Sequence, residues 1–236
     1  ATWLGADEVR EQFPLLPWEG APHPMAGLDA QRDRTLPPTP GLLGIAAKAG
    51  IKHGSYVGAP ELPYVAQTDL VIRIGHPPHD RLVFWPCKPK AMLEDAAKAD
   101  RIQQRITLER LYAEAVGATL TVYDGTHEVG YLCANLDWLE PRKSELDDPE
   151  LTAKRDQFAS AFRQTPTNCS VERRIAEAGS SVGMDTAEAQ RQFRAAVWMG
   201  AFDADLRAPI LMSKPLKTDG GEHKRMLRKQ LLGGLS

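Results

Sequence analysis

The sequence predicts an α/β domain followed by a mainly helical domain, and three observations carry that reading. Residues 68–90, TDLVIRIGHPPHDRLVFWPCKPK, hold two runs rich in β-branched and aromatic residues, Asp69–Ile74 and Arg81–Lys88. The Gly-His-Pro-Pro-His-Asp segment between them is a turn, so the pair reads as a β-hairpin. A long amphipathic stretch from about Ala91 to Val116 then leads into a second strand-like run, Ala118–Tyr123. Strand, long helix and strand imply a parallel crossover, which added to a hairpin makes a mixed sheet with flanking helices. From Leu151 onward the chain reads as successive capped helices followed by two short β-like runs.

The whole chain has 236 residues, 42% hydrophobic and 25% charged, the make-up of an ordinary soluble globular protein of one or two domains. No apolar run approaches the roughly 18 residues of a membrane span, and no signal peptide is visible. The start, Ala1-Thr2-Trp3, lacks an initiator Met and reads as a fragment or a processed product. Cys87, Cys133 and Cys169 lie far apart with no C-x-x-C pair, which argues against zinc or a disulfide framework and for a reducing cytoplasm. Residues 1–150 carry 15 Lys and Arg against 22 Asp and Glu, whereas residues 151–236 carry 14 against 9. The basic part is the better candidate for nucleic acid.

Along the chain, Val9–Leu16 reads as a short strand, and Pro17 to Pro40 as an irregular surface loop. Leu42–Ala49 is a short helix stopped by Gly50, and a second irregular connection runs from Ile51 to Gln67. On the long helix, Glu94–Lys98, Arg105–Glu109 and Arg110–Glu114 are expected as i,i+4 pairs on the wet side. Glu128–Leu139 is a further helix, and the domain boundary is expected in the charged, breaker-rich segment Glu140–Asp148. Helices follow at Leu151–Gln164, at Ser170–Ala178 with Ser170 as N-cap, and from Asp185, also an N-cap, to Met199, closed by Gly200. Two β-like runs within Ala201–Leu216, on either side of Arg207-Ala208-Pro209, would then form a wing. Helix, helix, hairpin is the order of a winged helix-turn-helix. Residues 219–236 form a basic tail, a helix or an arm.

Alternation places Asp69, Val71 and Arg73 on one face of the first strand and Phe84, Pro86 and Lys88 together on the second. If the registers align, Asp69 and Lys88 project into one shallow site. A carboxylate there can hold Mg²⁺ beside retained waters, and an ammonium can orient a water or stabilise phosphate charge. That is the logic of a metal-dependent nuclease. Lys52 and His53 could approach a phosphate, and Arg191 and Arg194 lie on the expected recognition helix, where they would contact DNA or a partner. His76 and His79 read as a polar hairpin tip, not a metal pair.

The string Arg10-Glu11-Gln12-Phe13-Pro14-Leu15-Leu16-Pro17 resembles a segment of TnsA, the endonuclease subunit of heteromeric bacterial transposases. The resemblance continues through Gly50-Ile51-Lys52-His53, Thr68-Asp69, Lys88-Pro89, Leu108-Glu109-Arg110 and Asn135-Leu136-Asp137-Trp138-Leu139. It covers roughly residues 3–140 apart from a proline-rich insertion near 18–40. It implies a restriction-endonuclease-like domain of the PD-(D/E)xK type over 1–140, a linker at 141–150 and a winged-helix domain over 151–218. It further implies hydrolysis of the non-transferred strands at transposon ends, with Mg²⁺ as cofactor and Mn²⁺ able to substitute. The implied partners are DNA, a DDE transposase (TnsB-like) and an AAA+ ATPase regulator (TnsC-like), with no membrane. Asp69 would be the metal-binding aspartate, Lys88 the catalytic lysine, and Cys87 the donor of a backbone carbonyl to the metal.

Two departures stand against the family pattern. Pro86 occupies a position where the family has a Gln or Glu ligand, so its strand must bend or lie at an edge. The family's first catalytic Glu lies on a helix before the Trp3 region, upstream of this chain's first residue. Glu61 is too close to Asp69 in sequence to be that helix residue, although it could lie near the site. A degenerate, non-cleaving assembly subunit bridging transposase and ATPase is therefore an alternative expectation, as is a stand-alone nuclease of the same fold.

Overall fold

A four-stranded mixed sheet organises the first part of the chain. The computed structural model describes residues 1–95, 98–125 and 130–233. These divide into two units: Ala1–His127 with the returning segment Gln230–Ser236, and Glu128–Lys229. No helix among the described residues is long and apolar enough to cross a membrane.

In the first unit, β1 (Glu8–Leu15) pairs antiparallel with β4 (Ala66–Ile74), and β4 pairs antiparallel with β5 (Arg81–Trp85). The expected hairpin is thus present, with Val71 opposite Phe84 and Leu70 opposite Trp85. After α3 (Lys90–Leu93) and α4 (Ala99–Ala115), β6 (Thr119–Leu120) returns parallel to β5, giving the order β1-β4-β5-β6. The single long helix expected over Ala91–Val116 is two helices, its intervening residues 96–97 lying outside those described.

The proline-rich loop contains one helical turn, α1 (Ala30–Asp33), capped by Asp29. It is tied down by two arginines: the buried Arg73, 1% exposed, donates to the Met25 carbonyl, and the half-buried Arg10 donates to that of Pro24. α2 (Leu42–Lys48) follows, and Gly50 (φ 65°) turns the chain after it. The connection expected to be irregular holds a small hairpin, β2 (Ser55–Tyr56) and β3 (Ala59–Pro63).

One face of the sheet (Leu15, Val71, Leu82, Phe84) packs with Leu42 and Ala46 of α2 and Leu108, Tyr112 and Ala113 of α4 in a continuous apolar core. On strand residues of the opposite parity, Ile72, Val83 and Trp85 are also buried, and the Trp85 indole N–H donates to the Leu231 carbonyl at 2.7 Å.

The second unit is built on α5 (Leu132–Leu139), α6 (Lys143–Asp147), α7 (Pro149–Gln164), α8 (Val171–Ser181) and α9 (Thr186–Met199). The start of the helix expected at Glu128 lies outside the described residues. The expected linker 141–150 is itself helical, forming α6 and the start of α7, and it belongs to this unit together with α5. Phe158, Phe162 and Phe193 form the core, with the Phe202 ring tilted against that of Phe162 at 4.5 Å between centroids. The predicted caps hold: Ser170 accepts from Arg173 N–H, Asp185 from Glu188 N–H, and Gly200 closes α9 at φ 79°.

The wing does not form. Residues 201–218 contain no strand, only an isolated Ala204–Thr218 bridge. Asn135 takes up the backbone groups a wing would have paired, donating to the carbonyls of Leu206 and Ala208 and accepting from Ile210 N–H. Pro209 and Pro215 remove two further ladder donors. The basic tail is a helix, α10 (Gly221–Leu232), which begins in the second unit; its last residues belong to the first.

Candidate active site

Asp69 lies on β4 one residue before Leu70, which with Trp85 closes the β4–β5 ladder. β5 ends there because Pro86 follows. Beyond Pro86 the ladder is replaced by a side chain: the Cys87 N–H donates to Asp69 Oδ2 at 2.7 Å. Lys88 Nζ reaches the same oxygen at 2.7 Å and the Cys87 carbonyl at 3.2 Å. The chain stays aligned with the segment that follows β6, because Lys88 N–H donates to the Tyr123 carbonyl and Tyr123 N–H to that of Pro86. Asp69 and Lys88 are therefore brought together as the strand alternation predicted, and the Cys87 main chain lies against both. Lys88 is buried, while the Asp69 side chain keeps 30% of its surface open.

A fourth residue, Glu109 on α4, completes the cluster. It was expected on the wet side of the long helix as a partner of Arg105; that pair does form, at 3.2 Å, but Glu109 is 1% exposed. Its Oε2 lacks a hydrogen-bond partner of good geometry, as does Oγ1 of Thr68 beside it. Burial pushes the Glu109 carboxyl above its ordinary pKa. The Lys88 and Arg105 cations and Thr68 work against that rise, and the Asp69 charge adds to it. Two carboxylates, one ammonium and a backbone carbonyl thus share one end of the sheet. Glu61, by contrast, is exposed on β3.

Glu109 is also a wall of a pocket of about 240 Å³. Leu42, Tyr64, Ile102 and Leu108 supply its apolar surface, and His53, Arg101 and Arg105 its polar one. His53 thus lies in the pocket wall, its Nδ1 2.7 Å from the Gly54 carbonyl. Lys52 is exposed, and its carbonyl accepts from Arg101.

In the second unit, Arg191 is exposed at a small cleft beside Glu145 and Leu151. Arg194 is engaged within its own unit: its guanidinium sits 5.9 Å over the Trp138 ring and donates to the Trp138 carbonyl. His76 is at the exposed hairpin tip, 3.6 Å from Asp7. Among the described residues no three His, Cys, Asp or Glu side chains gather as a metal cluster, so the candidate oxygens are the Asp69–Glu109 pair and main-chain carbonyls.

The chain matches no protein-family model and no curated protein.

Proposed function

We propose that the first unit is a Mg²⁺-dependent DNA endonuclease of the TnsA-like kind, on a restriction-endonuclease-like sheet, with Mn²⁺ able to substitute. Its substrate on this reading is the non-transferred strand at a transposon end, and it works with a TnsB-like transposase and a TnsC-like ATPase. The helical second unit, related in helix order to winged-helix modules, docks DNA or one of those partners through α9. A single observation carries the reading: Lys88 and the Cys87 amide converge on one oxygen of Asp69, with the buried Glu109 carboxylate alongside.

The donor set fits a hard divalent cation. Mg²⁺ takes oxygen ligands, and the buried Oε2 of Glu109, which has no hydrogen-bond partner of good geometry, stands next to a second carboxylate. Asp69, Glu109 and the Cys87 carbonyl would hold the ion, Glu109 taking the place that Pro86 leaves without a side-chain oxygen. When bound, such an ion activates water and polarises a phosphoryl oxygen. Lys88, held by Asp69, presents an ammonium to the charge that develops on the scissile phosphate. Because its amide N–H holds Asp69 in line, Cys87 acts through its backbone, so Cys87→Ala should leave activity within about twofold, as surface-level substitutions do.

The test is nicking of supercoiled plasmid in Mg²⁺ or Mn²⁺, alone and with the co-encoded transposase. Wild type should nick; Asp69→Ala and Lys88→Ala should lose activity by about 100-fold or more, as expected for removal of a preorganised charge. Pro86 favours the second reading, a non-cleaving assembly subunit, and that reading prevails if wild type and Asp69→Ala are equally inert.

A further inference from the structure

We propose that the 240 Å³ pocket ending at Glu109 receives one unstacked base of the DNA strand being cut, a specificity that rests on the nuclease reading. Its volume is below the roughly 300–1,000 Å³ of pockets that enclose drug-sized ligands, and a single planar ring system suits it better than a longer chain. The walls have the chemistry a base needs. Tyr64, 40% exposed, offers an aromatic face, and Leu42, Ile102 and Leu108 offer an apolar floor. Arg101 and Arg105, both exposed on α4, place positive charge where the phosphates on either side of that base would run.

Position ties the pocket to the cleavage site. Arg105 bridges the two, donating to the Gln67 carbonyl two residues before Asp69 while its Nε holds Glu109. A base seated against Leu108 and Glu109 therefore belongs to a nucleotide whose own phosphate lies by Asp69 and Lys88. Enzymes acting inside a duplex lift a nucleotide out of the stack, and an already unpaired one is the easiest to lift. The favoured substrate is thus DNA with an unpaired nucleotide at the cut.

Two variants close the pocket without touching Asp69, Lys88 or Glu109. Ile102→Trp fills it from α4. Gly54→Val narrows its mouth, since a Cβ there would meet Arg101 at 3.5 Å and Tyr64 at 3.8 Å, ordinary contacts with no backbone strain. Binding is read by anisotropy in Ca²⁺, which withholds cleavage, on a labelled duplex with one single-base bulge and on its fully paired counterpart. A 2-aminopurine at the bulge reports burial of the base. Wild type should prefer the bulged duplex by at least about fivefold, the lower end of what stacking one base on an aromatic contributes. Its 2-aminopurine emission should change on binding. Both variants should bind the paired duplex as wild type does, which controls for folding, and lose the preference. Tyr64→Ala should lose most of the emission change.

No preference in wild type, or a preference kept by both variants, overturns the proposal. Plasmid nicking separates the two readings. Asp69-dependent nicking without a bulge preference leaves the nuclease standing and removes the base pocket. A preference without any nicking removes the nuclease and, with it, the assignment of the base to a cut strand.

Discussion

Glu109 is ionisable, buried and only half partnered, a combination that lowers stability unless the site uses it. Its pKa is raised, so the sign is opposite to that of a salt-bridged carboxylate. The folded chain holds this proton more tightly than the unfolded chain does. The stability is fully present below the ordinary value of 4.5 and is lost as pH rises through the raised folded value. Glu109→Gln removes the titration while keeping the shape. Its melting temperature should exceed that of wild type by a few degrees at about pH 8, with the gap closing below about pH 4.5. Thermal melts across that range check it, and a variant less stable than wild type at pH 8 would show that the Arg105 pair outweighs burial. The same substitution should weaken Mg²⁺ binding in a calorimetric titration. Asp69 and Lys88 were legible in the sequence because a hairpin with period-2 alternation fixes which side chains share a face. Glu109 was not. Spaced four from Arg105 it fits a solvated pair, and nothing local records that Arg105 stays 45% exposed while Glu109 turns inward beneath it.

At the scale of elements, the helices of the second unit were readable wherever a cap marks an end: Ser170, Asp185 and Gly200 each stand where the chain starts or stops a helix. The wing was unreadable because its two β-like runs are decided by Asn135, more than sixty residues upstream. The small β2–β3 hairpin and the break between α3 and α4 were missed as well, since short or interrupted elements leave little periodicity to read. Packing between helices is equally invisible locally, and Gly179 shows why. It sits inside α8, where propensity alone favours alanine by about 1 kcal/mol. Yet a Cβ at Gly179 would lie 2.6 Å from the Cβ of Ala189, which is buried on α9. Neither atom ends a flexible side chain, so the helices themselves must separate. Gly179→Ala should therefore destabilise the protein by about 1–3 kcal/mol, the usual range for overpacking, despite the better helix former. A rise in melting temperature would mean that the α8–α9 contact gives way freely.

At the scale of the whole molecule, the first unit is discontinuous: residues 1–127 are joined by a return segment from Gln230. Composition hinted at a division into an acidic and a basic part, but no local pattern says that a basic tail ends on the acidic part's sheet. The contacts are specific. The Leu231 carbonyl accepts from the Trp85 indole, and Arg81 donates to the carbonyls of Leu232 and Gly233. Leu231 and Leu232 are 5% and 0% exposed. Burying two such side chains contributes about 3–6 kcal/mol, and each hydrogen bond about 1 more. That is a large share of a typical total of about 5–15 kcal/mol. Ending the chain at Lys229 should therefore lower the first unit's melting temperature by on the order of 10 °C or abolish its cooperative transition. Calorimetry reads the transition, and the part of the near-ultraviolet circular dichroism that Trp85→Phe removes reports the sheet, since Trp85 is stacked 5.8 Å from Tyr123. Because Tyr123 also registers Lys88, the shortened chain should lose Asp69-dependent nicking along with the Trp85 signal. An unchanged melt and an unchanged Trp85 spectrum would show that the return segment rests on the sheet without supporting it.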